Sequence, residues 1–531
     1  MLLSLSFPNT GWWPLVFVGL VPLLLALHEG TPGPGDHGSA PRVVRWAPWA
    51  TGTIFAFLLF RWITRLPPHA MTQPWLIGPG LLLLALYLGL YVALFGSITR
   101  VLRHRLGLSV FVTAPIVWTA CEWLKSSGEM GCPWGNLGSS LAAHPAWIQL
   151  ASVGGAPGLT LWIVGVNALL AAGVAAWSGR RFVDAALRFG LAVGLVALPP
   201  LWGAARLRAA DVSSASVAQD GEAASLGRVA LIQPNIGSGD KWKASMQDSV
   251  VGTLYRLTRA AASDTLRPVL IVWPETALPF YARLEPLKMH RLLATARELG
   301  VPILAGYPDA RLGSSGDVKT HNAVGLVLAT GRIAEQYEKI HLVPFGERIP
   351  FQGFFPFLGS FDLGQAEWTP GDARVTFTGA GAPFGVLVCF ESIFGELARG
   401  YRRDGARYLV NVTNDEWFGR SAGPVQHAEL SQLRSVELGL SLVRAANTGI
   451  SMIVDPYGRV VASTGLFEEG ILRGEVPAPI EETRYAKWGD WTSGGSVALV
   501  MLLLAGAWFR PVGARPAPLA DLRAPATGDL G

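Results

Sequence analysis

The chain has 531 residues, of which half are apolar and only 15% are charged, and its formal net charge is +5. A typical soluble domain carries about 25% charged residues, so the composition excludes a single water-soluble globule and points to a membrane protein with room for several domains. The positive excess sits in arginines beside apolar runs rather than in a basic stripe, which excludes a nucleic-acid surface, and three cysteines are too few for a disulfide framework.

Apolar runs near 11–27, 46–63, 75–98, 107–125, 148–177 and 186–204 approach the length that crosses a bilayer as a helix, about 20 residues. They define a transmembrane helical domain over 1–204. The first run contains Pro14 and Pro22. It lacks a basic leading region and more runs follow, so it reads as an uncleaved span rather than a signal peptide. A small, polar linker is expected over 205–227, then a polar domain over 228–485, a seventh apolar run at 491–509 and a Pro- and Arg-bearing tail at 510–531. If the spans alternate, three arginine groups share one side: Arg100, Arg103 and Arg105; Arg180, Arg181 and Arg188; Arg510, Arg515 and Arg523. Positive loops favour the cytoplasm, which puts the tail inside and the polar domain on the outer side, the periplasm of a double-membraned bacterium. Trp12, Trp13, Trp134, Trp147, Trp488 and Trp491 stand near span ends and are expected as interfacial anchors. Cys121 and Cys132 flank a short loop and are expected as unpaired thiols. Gly154-Gly155-Ala156-Pro157-Gly158 lacks a nucleotide-loop pattern and reads as a turn.

Within the polar domain, strand-like runs fall at 228–233, 269–273, 302–306, 322–328, 385–389 and 408–412, and helix-like runs at 285–299 and 426–444. Short continuous apolar strands imply buried sheets, and their alternation with helices predicts an α/β class.

Three stretches carry reactive groups. Trp273-Pro274-Glu275 offers a carboxylate just past a strand, suited to general base and then general acid work; alone it could equally be a solvated loop glutamate. Lys339 precedes the unusually apolar Ile340-His341-Leu342-Val343-Pro344-Phe345-Gly346-Glu347. A cation there suits a developing oxyanion and favours a thiolate nearby, although a snorkelling lysine fits too. Glu347 could hold Lys339 or share a proton with Glu275. Cys389 ends the run Val386-Leu387-Val388-Cys389-Phe390-Glu391 and is either a nucleophile or a buried structural thiol. His290, His321, His341 and His427 are scattered without ligand spacing, so no metal is expected.

Together these stretches resemble the Glu-Lys-Cys triad of the nitrilase, or carbon-nitrogen hydrolase, superfamily, in the same order along the chain. With the flanking spans, the chain resembles the apolipoprotein N-acyltransferase family over nearly its whole length. The resemblance is carried by Gln233-Pro234-Asn235-Ile236 with Lys241-Trp242, by Trp273-Pro274-Glu275-Thr276-Ala277, by His341 to Glu347, by Val388-Cys389-Phe390-Glu391 and by Asn414-Asp415-Glu416-Trp417-Phe418-Gly419. Val425-Gln426-His427, Arg444-Ala445-Ala446-Asn447-Thr448-Gly449 and Asp455-Pro456-Tyr457-Gly458 complete it. It implies a polytopic α-helical membrane domain plus an α/β periplasmic nitrilase-like αββα sandwich. It makes Cys389 the nucleophile, Glu275 the base and Lys339 the oxyanion stabiliser, with Glu347, Trp242, Phe390 and Glu391 in support and no cofactor. Phe390 stands where the family often has tyrosine, so no phenol hydroxyl is needed there. The implied donor is a membrane phospholipid, phosphatidylethanolamine in the family, and the implied acceptor is a diacylglyceryl apolipoprotein. The family's eight spans against seven here, with the N-terminus placed outside by parity, lead us to expect a further helix upstream. The loop 351–361, rich in Phe and Gly, is expected as a lid or membrane-dipping arm, or else as packing onto the domain. Two other functions stand beside this one: a tethered amidase that uses the same triad with water as final acceptor, and a transporter or lipid-binding protein with a degenerate domain, against which the intact Glu275, Lys339 and Cys389 argue.

Overall fold

The structure, a computed structural model, describes residues 1–510 apart from 9, 32–40, 67–73, 220–224, 314, 315, 317 and 361–366. The expected tail therefore lies outside the described residues except for Arg510, and so does Phe361 of the expected arm.

Among the described residues, five helices are long and apolar enough to cross a membrane: Arg42–Arg65, Pro74–Leu106, Ala151–Ser178, Phe182–Val212 and Trp491–Phe509. The two remaining expected spans are shorter. Residues 11–27 form a 3-10 turn, Trp13–Phe17, followed by the helix Val21–Glu29. Pro14 and Pro22 each fall in a first turn, where the missing N–H loses no helical bond. Residues 107–125 give the 16-residue helix Val110–Lys125, about 24 Å at 1.5 Å per residue. The glycine-rich 154–158 is no free turn; it lies inside the helix Ala151–Ser178 as a break at Gly155, whose φ of 67° needs glycine. Cys121, Cys132 and Cys389 are all free thiols.

The expected linker 205–227 is largely helical. The helix Phe182–Gln219 runs unbroken through it, because Ala204-Ala205-Arg206-Leu207-Arg208-Ala209-Ala210 consists of strong helix formers. The helix also docks on the next domain: Arg206 stands over the Tyr457 ring at 5.5 Å, and Asp211 pairs with Arg459.

The polar domain is a four-layer αββα sandwich. Its strands are β1 Ser225–Gln233, β2 Leu270–Val272, β3 Ile303–Leu312, β4 Val318–Val327, β5 Ile333–Glu338, β6 Thr376–Phe377, β7 Phe384–Val388, β8 Tyr408–Thr413, β9 Ser441–Ala446, β10 Met452–Val454, β11 Val460–Ser463 and β12 Gly470–Pro477. One sheet has the order β12-β1-β2-β3-β4-β5 and the other β11-β10-β9-β8-β7-β6. The central strands β1-β2-β3 and β7-β8-β9 are parallel, and their outer neighbours antiparallel. The sheets meet through one apolar layer that includes Leu231, Val272, Leu304, Val386, Val388, Val410 and Val443. Helices Gln247–Ala262 and Pro286–Leu299 cover the first sheet, and Gly395–Arg403 and Ala422–Leu438 the second.

The helix expected over 426–444 ends early. Gly439 adopts φ 64° and caps Ala422–Leu438, and Ser441–Ala446 becomes β9, buried between β8 and β10. Arg444 had looked helical because a charge inside a buried strand is rare; here it is matched by buried partners described below.

Candidate active site

The reactive groups sit just past strand ends, three of them on the parallel strands β2, β7 and β8 and one on the antiparallel edge strand β5. A chain leaving the carboxyl end of a parallel strand opens a crevice that side chains from adjacent strands can share. Glu275 follows β2, Lys339 follows β5, Cys389 follows β7 and Asn414 follows β8. Cys389 adopts φ 51° and Thr276 φ 44°. Non-glycine residues adopt such values only when their surroundings hold them there. Cys389 stays in the buried layer between the sheets, at the end of β7, and Thr276 turns the chain just after Glu275.

Three of the expected residues form one buried cluster. Lys339, 1% exposed, donates from Nζ to Glu347 Oε1 at 2.8 Å and to Glu275 Oε1 at 3.4 Å. Asn322 Nδ2 donates to Glu275 Oε1 at 2.7 Å, and the Asn414 N–H donates to Glu275 Oε2 at 2.9 Å. Glu347 Oε2 takes the N–H of Val343 at 2.8 Å, closing its own loop. Burial alone pushes the Lys339 ammonium down, but Glu347 and Glu275 outweigh it and hold its pKa above the ordinary value. Cys389 faces both Glu275 and Lys339 electrostatically. Burial, then Glu275, pushes its thiol up, and Lys339 opposes them.

The other expected residues divide. Glu391 is fully buried and turned away from the thiol: Oε1 accepts from Tyr337 Oη at 2.7 Å, Ile340 N at 2.7 Å and His341 N at 3.0 Å, and Oε2 from Val388 N at 2.7 Å. Burial pushes its carboxyl up to about 6 against those bonds. Phe390 packs edge-on against Phe394 at 5.2 Å and joins the apolar core of the membrane helices. Trp242 is 48% exposed beside Lys241, at the rim rather than in the cluster.

Several residues of the site have no role in the sequence reading, although Lys241, Asp415, His427 and Arg444 stand in the runs that carry the resemblance. Lys241 is buried and donates to Thr276 Oγ1 at 2.9 Å. In Gly306 a side chain is impossible, since a Cβ would lie 2.5 Å from Pro274 O and 2.9 Å from Glu275 Cα. Behind the thiol, His427 stands 2.9 Å from Asp415 Oδ1 and 3.1 Å from the Cys389 carbonyl, and Arg444 donates to Asp415 Oδ2 at 2.8 Å and also to Asn411. The scattered histidine spacing gave no hint that ligand atoms of Cys389, Asp415 and His427 would lie within 4.8 Å of one another. Arg444 Nη2, 3.1 Å from His427 Nδ1, already supplies a positive charge to that group. The available signal was polar residues, Asn411 and Arg444, inside otherwise apolar strands.

The site abuts the membrane helices. Gln426 Oε1 accepts from Trp134 Nε1 at 2.9 Å and Trp62 Nε1 at 3.3 Å, and Gln426 Nε2 donates to Pro8 O at 2.6 Å. Trp134 is therefore no interfacial anchor; it is 5% exposed and stacks on His427 at 5.6 Å. Trp12, Trp488 and Trp491 do stay exposed at helix ends. In the described part of the expected arm, Phe354, Phe355 and Phe357 are 77%, 54% and 64% exposed, so they do not pack onto the domain.

Residues 228–485 match the carbon-nitrogen hydrolase family and residues 1–169 match the apolipoprotein N-acyltransferase N-terminal domain. An apolipoprotein N-acyltransferase of Geobacter metallireducens is 35% identical over 95% of this chain and 93% of its own. The chain belongs to the apolipoprotein N-acyltransferase family. Relatives of the same description from Gloeobacter violaceus and Bradyrhizobium diazoefficiens are 34% and 32% identical, over 95% and 92% of this chain and 92% and 90% of theirs. Membership explains why one chain joins the two matched regions, and it makes the polar sandwich the enzyme part of a membrane acyltransferase.

Proposed function

We propose that this chain moves a fatty acyl chain from a membrane phospholipid, through a thioester on Cys389, to the N-terminal amine of S-diacylglyceryl-cysteine apolipoproteins. The observation that carries the reading is the meeting of Glu275, Lys339 and the Cys389 turn at one crevice beside the membrane helices. The family supplies the reaction class, and the cluster supplies a chemically complete way to run it.

Burial and Glu275 both push the pKa of the thiol up, which favours its protonated form. Glu275 therefore takes the proton as sulfur attacks the ester carbonyl, rather than beforehand. Lys339 has donated two of its three N–H groups, to Glu347 and Glu275; the third serves the oxyanion. Fixed donors of this kind act without reorganising at the moment of reaction. Glu275 then protonates the departing alcohol, and a lysophospholipid leaves. The acceptor amine attacks the thioester, the N–C bond forms, the C–S bond breaks, and the sulfur recovers a proton. Asn322 and the Asn414 N–H hold Glu275 in place through both steps.

Phosphatidylethanolamine is the proposed donor, and the inner membrane with a periplasmic catalytic domain the proposed location. The arginine groups facing one side and the exposed Phe354, Phe355 and Phe357 support a domain lying against the outer leaflet.

The test is mass spectrometry of the purified protein after incubation with phospholipid. A fatty-acyl mass on the peptide bearing Cys389, discharged by a diacylated lipopeptide that gains a third chain, is expected. Cys389→Ala and Cys389→Ser carry no adduct. Normal loading of either variant, or ammonia release from soluble amides without phospholipid consumption, overturns the reading.

A further inference from the structure

Glu416 lies in the 3-10 turn Asp415–Phe418, two residues beyond the Asn414 whose N–H holds Glu275. It is 8% exposed, and its Oε2 is buried without a hydrogen-bond partner. Among the described residues its carboxylate makes neither a hydrogen bond nor an ion pair. Its neighbour Asp415 is already matched by Arg444. A buried polar oxygen without a partner costs free energy until something arrives to pair with it.

The surroundings say what that partner is. Gly237 stands beside Glu416, where a Cβ would come 3.7 Å from Oε1. Lys241 lies on the same side and feels both Glu275 and Glu416, but its Nζ donates to Thr276 Oγ1 and forms no ion pair with Glu416. Glu275 and Glu347 are both paired with Lys339, and Lys241 is bonded to Thr276, so Glu416 is the carboxylate of this group left without a hydrogen bond among the described residues. Glu416 lies two residues from the Asn414 N–H that holds Glu275. The complement is a single cation with N–H donors.

We infer that Glu416 receives the α-ammonium of the lipid-anchored acceptor and presents it to the thioester; the inference rests on the function proposed above. The ammonium carries three protons. One passes to a carboxylate or to solvent before attack, a second leaves as the N–C bond forms and ends on the Cys389 sulfur as the C–S bond breaks, and the third stays on the amide. Glu416 holds the nitrogen while Glu275, freed of its proton by the departed alcohol, accepts the first. A phosphatidylethanolamine headgroup is a second source of the same ammonium chemistry, but it brings a phosphate with it. The one unpartnered carboxylate matches a lone cation.

The experiment uses the full chain in lipid-detergent micelles, with Glu416→Gln, which keeps the shape, and Glu416→Ala. Loading of Cys389 is timed by mass from phosphatidylethanolamine and from phosphatidylglycerol. Discharge is timed separately with a synthetic diacylglyceryl lipopeptide and with neutral hydroxylamine. Expected for Glu416→Gln is lipopeptide discharge slowed at least tenfold more than loading, with a raised KM for the lipopeptide and hydroxylamine discharge close to that of the unaltered protein. Equal slowing of loading and discharge, or lipopeptide discharge within twofold of the unaltered protein, overturns the assignment. Slowing confined to loading from phosphatidylethanolamine overturns it in favour of the headgroup. Absence of any acyl-Cys389 in the unaltered protein brings down the proposed function, and this inference with it.

Discussion

Glu391 Oε1 accepts the backbone N–H of Ile340 at 2.7 Å, so a residue two places after the thiol is bonded to the residue after the ammonium. The same carboxylate takes the N–H of Val388, the residue before the thiol, at 2.7 Å. One buried side chain therefore stitches the end of β7 to the end of β5, across two sheets.

Removing that stitch should disorder the site without touching any reacting atom. Glu391→Ala leaves the buried Val388 N–H, the partly buried N–H groups of Ile340 and His341 and the Tyr337 hydroxyl without this acceptor, and a fully buried orphan costs about 1–3 kcal/mol. We expect a lower unfolding temperature and acyl-enzyme formation slowed at least about tenfold, the factor that about 1.4 kcal/mol of barrier represents. Thermal unfolding and the loading assay, run on the same preparation, check both.

Lys339→Ala should lose about 2.7 kcal/mol or more of transition-state stabilisation, about a hundredfold in turnover, if its third N–H serves the oxyanion. Glu347→Gln should also slow turnover, by less, because the amide oxygen can still accept from Lys339 but the negative charge of its 2.8 Å partner is gone. Near-normal turnover in Lys339→Ala removes the oxyanion role.

Gly306→Ala tests whether the position of Glu275 matters apart from its chemistry. The new Cβ would meet Pro274 O at 2.5 Å and Thr276 N at 2.8 Å, both backbone, so the Glu275 turn must shift. A displacement of about 1 Å can cost about a hundredfold in rate. Loading kinetics of the variant, which keeps every reactive side chain, check this.

Burial, opposed by Glu275 and Glu416, pushes Lys241 down to about 8 from its ordinary 10.5. Between those two pH values the unfolded chain holds a proton that the folded chain has released. Stability therefore rises with pH across that window, and the penalty of the buried ammonium is fully present below about 8. The linkage amounts to on the order of 3 kcal/mol. Lys241→Met should flatten that rise, as measured by unfolding midpoints of the solubilised protein from pH 7 to 10.

Much of this architecture was legible from residues alone. Seven apolar runs mark the helices, since the length needed to cross a bilayer and the exclusion of charge from it are local properties. The six strand-like runs all became strands, for a continuous apolar run bounded by turns has few other ways to bury itself. Glu275, Lys339 and Cys389 stood out because reactive side chains next to apolar strands are chemically odd. Even so, their identification leaned on the resemblance, as each alone had an ordinary structural explanation. The polar edge strands β5, β11 and β12 were missed because their faces are only partly buried and carry weak periodicity. Arg444 was assigned to a helix because its partners, Asp415 and Asn411, lie 29 and 33 residues away.

What tertiary structure alone decided is who faces whom. Composition and periodicity determined which segments are membrane helices and which are buried strands, because hydrophobic burial depends on the side chains of each segment itself. Which carboxylate is matched and which is left over is a different kind of fact. Glu347 and Glu391 are saturated by Lys339 and by backbone N–H groups, whereas Glu416 is not. Electrostatic pairing falls off over a few ångströms in space and takes no account of distance along the chain, so only the folded arrangement could separate them.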